Sequence, residues 1–266
     1  MKFSSAGSMG DTVFQTLFML ELCEALNQKI EEIHLQVDKP SNCYKQHIYG
    51  NVCLSKNAAE FLAPLLELQG WKTSISDSLP KDFFDLDRFR QLKLNFGAND
   101  IRAWVYNLIA YQLPMDLRRQ TIVKFPVDAS FADKVVLAKT DRYINPFIDY
   151  SMLKPLQDKI VFIGLPQEHK AFCDTYFKVD YEMCPDAVKM MSVIAGAKTF
   201  IANQCGPYSL AEQAKTIRCL LTSEFMVFEK IHRIVPGPVN VIPQGGEAYM
   251  CGTNERFKSY IERLSK

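Results

Sequence analysis

Ile201-Ala202-Asn203-Gln204-Cys205-Gly206-Pro207-Tyr208-Ser209-Leu210-Ala211-Glu212 is the stretch on which the fold of this chain turns. It follows an apolar run, Ala197 to Ala202, that reads as a buried strand, and precedes a pattern over Tyr208 to Lys215 that reads as a helix. Gly206 and Pro207 sit at the junction, with proline placed to open the helix, where its missing N–H costs nothing. A strand that breaks sharply into a helix turns backbone N–H groups and a positive dipole end outward, which suits a phosphate.

Working outward, a second strand, glycine loop and helix lies at the N-terminus between Lys2 and Leu26, with Gly7, Gly10 and Asp11 in the turn. Asp11 reads as the N-cap of a helix over Thr12–Leu26. Ile33–Val37, Ala58–Gln69 and Lys72–Ser76 continue as strand, helix and strand, the order of a parallel α/β sheet. Asp85–Leu92 and Asp100–Leu113 read as helices, the second carrying Trp104, Tyr106 and Tyr111 on a core-type spacing. Pro126-Val127-Asp128 reads as an interdomain linker. The pattern then restarts: strands at Lys134–Ala138 and Lys159–Gly164, a helix at Glu168–Tyr176, a brief strand at Val179–Tyr181 and a helix at Asp186–Ala197. Strand Phe200–Ala202, the helix after Gly206, strand Arg218–Leu221 and helix Asn254–Leu264 complete the set. The expectation is two nucleotide-binding halves facing a common cleft, residues 1–128 and 129–266, with the last helix free to pack back on the first half.

Composition narrows the function classes. A net charge of +1 over 266 residues gives no global field toward nucleic acid or anionic membrane. No run reaches the roughly 20 apolar residues of a membrane helix, and the N-terminus lacks the layout of a secretion signal. The eight cysteines are scattered, with no C-x-x-C and no Cys/His cluster at metal spacing, so a reducing cytoplasm and no structural zinc are expected. His34, His47, His169 and His232 form no nucleophilic or metal constellation.

Two motifs carry a resemblance. Gly7-Ser8-Met9-Gly10-Asp11 resembles the GxxGD loop of glycosyltransferase family 9, the heptosyltransferase group of the GT-B fold. Asn203 to Ala211 resembles that family's N-D-S-G-P-x-H-L-A signature, and the intervening order of strands and helices also matches. The chain is similar to compact glycosyltransferase-like proteins of bacteriophage genomes. Three positions depart: the family's Asp is Gln204 here, its Ser is Cys205 and its His is Ser209. The resemblance implies a GT-B-like protein of two Rossmann-like domains, the first binding acceptor and the second binding a nucleotide-sugar. It implies Asp11 as the general base, and the changed Gln204 implies a donor sugar other than heptose, or lost activity.

Transfer of a sugar from a nucleotide diphosphate requires the leaving diphosphate to be stabilised and the acceptor hydroxyl to lose a proton. N–H groups around Cys205, Gly206, Pro207, Tyr208 and Ser209 would meet the first demand without a metal. Arg142 and Lys139, in the loop after the preceding strand, would add positive charge. Asn203 would orient the loop; Gln204, Glu212, Gly164 and Glu168 are the further donor-side candidates, Glu168 standing where nucleotide folds meet ribose. Gly7, Ser8, Met9 and Gly10 form the acceptor-side loop, its glycines allowing close approach. No cofactor is expected beyond a UDP-, ADP- or GDP-linked donor. The resemblance implies as acceptor a surface glycan or a hydroxymethylated pyrimidine of viral DNA, for which Arg88, Arg90, Lys93, Arg118, Arg119 and Lys124 would supply charge. Two alternatives stay open: a non-catalytic nucleotide- or partner-binding protein of this fold, and a nicotinamide-dependent oxidoreductase. The second lacks G-x-G-x-x-G spacing, and Asp11 would repel a pyrophosphate. Oligomeric state is open.

Overall fold

The computed structural model describes residues 1–266 except 41–51, 92–104, 110–115, 141–142, 223–224, 229–232, 237–245 and 266. The chain divides into two compact units, Met1–Phe125 with Asp186–Val188 and Pro126–Pro185 with Lys189–Lys266.

The first unit contains β1 (Lys2–Ser5), α1 (Met9–Ala25), β2 (Glu32–Gln36), α2 (Lys56–Leu68), β3 (Lys72–Ser76) and β4 (Phe84–Asp85). Its sheet is parallel throughout, in the order β3-β2-β1-β4. α1 begins at Met9 rather than Thr12, because Ser8 caps it. The Ser8 hydroxyl accepts from the Asp11 N–H at 3.4 Å while the Asp11 carboxylate accepts from the Ser8 N–H at 3.0 Å. Asp11 is therefore the third-residue partner of a capping box and not the N-cap itself. From Thr12 to Cys23 nearly every residue of α1 is buried, which explains the width of its apolar stripe.

Where a helix was expected over Asp85–Leu92, the chain forms the two-residue β4 and then a 3₁₀ run, Leu86–Gln91. The cause is tertiary: the Asp87 carboxylate accepts the Ala6 N–H, drawing this segment against the end of β1. Of the expected Asp100–Leu113 helix, most lies outside the described residues, Trp104 and Tyr111 included; Val105–Leu108 is a 3₁₀ turn. Tyr106 packs edge-on against Phe18 and donates its hydroxyl to Glu21 of α1.

The alternation of β1–β4 sorts the two sheet faces. Phe3 and Phe84 pack together, and Phe84 meets Phe18 of α1. Glu32, His34 and Ser74 share the other face, where His34 packs on Phe83 and its ring nitrogens meet Ser74 Oγ at 3.1 Å and the Ser78 carbonyl at 2.9 Å. Burial pushes the His34 pKa below its ordinary 6.5, against smaller opposing effects of the Ser78 carbonyl and Glu32. As pH falls through 6.5 the unfolded chain gains a proton that the folded protein resists, so stability declines until the lower folded pKa is reached. Urea unfolding between about pH 7.5 and about pH 5.5 should show this loss, and His34→Gln should remove His34's share of the slope. An unchanged slope in the variant would reject the assignment.

The second unit contains β5 (Val135–Ala138), β6 (Ile160–Phe162), α3 (Pro166–Thr175), β7 (Asp180–Tyr181), α4 (Ala187–Gly196) from Lys189 onward, β8 (Thr199–Asn203), α5 (Gly206–Ala214) and β9 (Arg218–Leu221). β10 (Phe225–Phe228) and β11 (Arg233–Pro236) form an antiparallel hairpin, and β12 (Ala248–Cys251) and α6 (Asn254–Leu264) follow. The main sheet is parallel, in the order β12-β9-β8-β5-β6-β7. The chain moves outward from β5 through β6 to β7, then returns to β5's other side with β8. That reversal is the switch point at which open α/β sheets place their ligands. All five residues of β8 are buried, as a central parallel strand requires. The hairpin, β12 and a 3₁₀ run over Tyr150–Lys159 were not anticipated. The last helix buries Phe257, Tyr260 and Ile261 in this unit's own core, with Tyr150, Phe162 and Phe172. Among the described residues the cysteines are free thiols, and Cys43 lies outside them.

Gly196 closes α4 against the chain at Asp128. A Cβ there would lie 2.0 Å from the Asp128 carbonyl oxygen, backbone that is itself held by the Asp128 N–H to Ser192 carbonyl bond of 3.1 Å. Gly196→Ala, which in an open helix stabilises, should here cost about 1–3 kcal/mol. Chemical denaturation would test this, and a stabilised variant would contradict it.

Candidate functional site

The C-terminal ends of β5 and β8 flank the switch point, and one side chain joins them. Asn203, fully buried, accepts the Thr140 N–H at 3.0 Å and donates to the Thr140 carbonyl at 3.2 Å and hydroxyl at 3.3 Å. It orients the loop after β5 rather than its own. That loop is held again further on, where buried Asn145 donates to the Thr222 carbonyl at 2.9 Å and the Gly252 carbonyl at 3.1 Å, beyond β9 and β12. Thr140 and Asn145 escaped the sequence reading; the only trace they leave there is a polar pair flanking a loop with Asn-Pro. Lys139 lies in the same loop, its ammonium 5.9 Å from the centre of the Tyr150 ring. Arg142 lies outside the described residues.

After β8 the chain turns at Gln204 and Cys205 into α5. Cys205, extended at φ −151°, is the N-cap, and Gly206 and Pro207 open the helix. The N–H groups of Tyr208 and Ser209 already turn to the Cys205 carbonyl, at 3.1 and 3.4 Å. Pro207 has no N–H, so the mouth offers an outside anion the Gly206 N–H and the helix dipole, fewer groups than the motif suggested. Ser209, where the family signature has histidine, is buried and donates its hydroxyl to the Gly206 carbonyl at 2.6 Å.

Two carboxylates of the candidate set face inward. Glu212 is 1% exposed and accepts from Arg218 Nε at 2.6 Å and from the Tyr208 hydroxyl at 3.3 Å. Arg218, also fully buried, donates besides to the Thr216 carbonyl at 3.2 Å. Burial, reinforced by the Glu212 charge, pushes the Tyr208 hydroxyl well above its ordinary pKa and keeps it a donor. This cluster ties α5 to β9. Glu168, likewise buried, caps α3 by accepting the Leu165 N–H at 3.0 Å. Gly164 has φ +134°, and a Cβ there would stand 2.9 Å from Glu168 Oε2, so its glycine serves this cap.

In the first unit Gly7 and the N-cap Ser8 form the turn after β1, while Met9 and Gly10, expected in that loop, are the first residues of α1. Among the described glycines only Gly70, Gly164 and Gly246 have positive φ, so Gly7 and Gly10 are not demanded by backbone conformation. Asp11 remains half-buried at the loop's edge, with its carboxylate on the Ser8 N–H. Asp87, buried in the 3₁₀ run after β4, holds the turn through the Ala6 N–H. The cations proposed for DNA are partly engaged: Arg119 pairs with Glu24, Arg118 with Asp116 at 3.4 Å, and the Lys124 ammonium meets the Gln69 carbonyl at 3.4 Å. The Arg119 bond holds the Glu24 carboxyl below its ordinary range. Arg88 is exposed; Lys93 lies outside the described residues. Among the described residues no group of three or more His, Cys, Asp or Glu side chains gathers as a metal site, and no helix is long and apolar enough to cross a membrane.

By sequence, the chain matches no protein-family model and no curated protein. By structure it is similar to the E. coli heptosyltransferase WaaC with ADP, at 12% identity and a TM-score of 0.55, over 99% of this chain and 99% of that one. It is similar also to E. coli ADP-heptose lps heptosyltransferase II, at 12% identity and a TM-score of 0.54, over 99% and 97% of the two chains. WaaC with ADP-2-deoxy-2-fluoro heptose gives 10% identity and a TM-score of 0.51, over 98% of each. The two parallel α/β units, in this order along one chain, therefore have the GT-B fold of the heptosyltransferases.

Proposed function

We propose that this protein is a glycosyltransferase that moves a sugar from a nucleotide-diphosphate donor to an acceptor hydroxyl. The single observation that carries the reading is the β8–α5 junction. A helix opens on glycine and proline at the switch point of a Rossmann-ordered sheet, and Asn203 braces it to the loop after β5. The solved structures of the same fold that contain ADP or an ADP-sugar support it as analogues.

In the proposed reaction the Asp11 carboxylate takes the acceptor proton as that oxygen attacks the anomeric carbon. The bond from that carbon to the diphosphate oxygen breaks, and the diphosphate leaves with the electron pair. The Gly206 N–H, the positive end of α5 and Lys139 offset its growing charge, so no metal is invoked. Residues 1–128 serve the acceptor and 129–266 the nucleotide-sugar, each supplying one of the two loops.

The acceptor we favour is a glycan hydroxyl, since Arg118 and Arg119 already have carboxylate partners. A reducing, cytoplasmic setting belongs to the same proposal. The test is transfer from a panel of UDP-, ADP- and GDP-sugars to glycan and to hydroxymethylated DNA. Transfer to glycan is expected, with Asn203→Ala raising the donor KM roughly 10-fold through loss of the loop brace. Transfer to DNA alone, falling steeply with salt, would replace the acceptor. Donor binding with no transfer to either would leave a non-catalytic binder, and reduction or oxidation of a nicotinamide would revive the dehydrogenase.

A further inference from the structure

A buried polar chain lies beneath the Asp11 loop. Gln15, one helical turn beyond Asp11, is 3% exposed, and its side-chain amide meets Ser5 Oγ at 2.7 Å. Ser5 Oγ meets Thr12 Oγ1 at 2.8 Å, and Thr12 Oγ1 donates to the Ser8 carbonyl at 3.2 Å. Ser5 and Thr12 are both fully buried. Ser8 in turn holds the Asp11 carboxylate through its own N–H, at 3.0 Å.

Counting protons decides the direction of this chain. With Gln15 Oε1 toward Ser5, the Ser5 proton goes to Gln15 and the Thr12 proton must serve Ser5. The Ser8 carbonyl then loses its hydroxyl donor, and Gln15 Nε2 is left buried without a partner. With the amide turned over, each hydroxyl gives its one proton forward. Gln15 Nε2 donates to Ser5, Ser5 to Thr12 and Thr12 to the Ser8 carbonyl. The two ends of an amide have nearly the same shape, so partners alone choose between them. The turned arrangement makes one more bond and leaves one amide N–H and the amide oxygen unpaired instead of both N–H groups, which is the milder omission.

We propose that Gln15 is a positioning residue for Asp11, acting through the donor chain Gln15–Ser5–Thr12 on the Ser8 carbonyl to fix the residue whose N–H aims the carboxylate. The inference rests on the proposed role of Asp11 as base. Such a chain polarises in one direction and resists rotation of Ser8, the residue on which the capping box pivots.

Gln15→Met keeps the length of the side chain and removes the donor; Thr12→Val breaks the chain at a second place while keeping the shape. Each variant should lower kcat roughly 10- to 100-fold by misaiming the base, with the donor KM within about twofold of wild type. The double variant should be no worse than the poorer single, because one chain is broken twice. Wild-type kcat in both single variants, with Asp11→Asn inactive, overturns the inference and leaves the function standing. Losses of kcat that track thermal midpoint and donor KM, additive in the double variant, mark mere packing and also overturn it. If Gln15→Met fails to fold, Thr12→Val alone decides. An active Asp11→Asn would instead remove the reading on which the inference stands.

Discussion

Asp11→Asn is expected to slow sugar transfer by roughly 10²–10⁴-fold while leaving the protein folded and able to bind its donor. The argument depends on the two separate tasks of this side chain. As the third residue of the capping box it accepts the Ser8 N–H at 3.0 Å, and an asparagine oxygen at the same place accepts it equally well. Stability should therefore change little, since a lost cap would cost only about 1 kcal/mol even if nothing replaced it. As a base it must take a proton at neutral pH, which an amide cannot do. A comparison with Asp11→Ala completes the test: alanine should be as inactive as asparagine but about 1 kcal/mol less stable. If both variants keep wild-type kcat, Asp11 is a cap and nothing more.

The largest effect on stability is expected at Arg218. Arg218→Met fills most of the volume but leaves Glu212 buried without its guanidinium, and breaking such a pair costs about 3–5 kcal/mol. Glu212→Gln should cost less, because the amide oxygen still accepts from the Tyr208 hydroxyl and Arg218 Nε. Removing both charges together should recover much of the loss, since two uncharged side chains carry no desolvation penalty. The three variants form a cycle readable by urea unfolding. Donor affinity measured on folded protein should stay near wild type in Glu212→Gln, because the carboxylate faces Arg218 and not the mouth of α5. A large loss of donor affinity at full stability would return Glu212 to the donor site.

The sequence exposed the two strand–loop–helix junctions because each is local: an apolar run, a glycine and a helical period within a dozen or so residues. The second sheet was legible from β5 to β9 for the same reason. What the sequence hid depends on partners distant along the chain or on elements too short to show a period. β4 has two residues and is held by Asp87 reaching Ala6; no spacing reveals that bond. β12, at four residues, joins the sheet only by pairing with β9. Asn203 was recognised as a brace, but its partner Thr140 lies on another loop, so the direction of bracing was unreadable.

Glu212 shows how a partial signal misleads. A glutamate one turn into a helix reads as exposed or ligand-facing, yet Tyr208 lies one turn before it and Arg218 opens the next buried strand. An arginine at the head of an otherwise apolar strand is the mark that a buried carboxylate must be near. Glu168, readable in the sequence either as a ribose contact or as a helix cap, does cap α3, and Gly164 leaves the space that cap needs.

The central claim is that a nucleoside diphosphate binds at the opening of α5. Titrating ¹⁵N-labelled protein with ADP, UDP and GDP tests it most directly. At least one should shift the amide resonances of Gly206, Tyr208 and Ser209 together with that of Thr140 across the switch point. Binding that leaves these four unmoved and shifts amides elsewhere, or no binding by any of the three, would contradict the account.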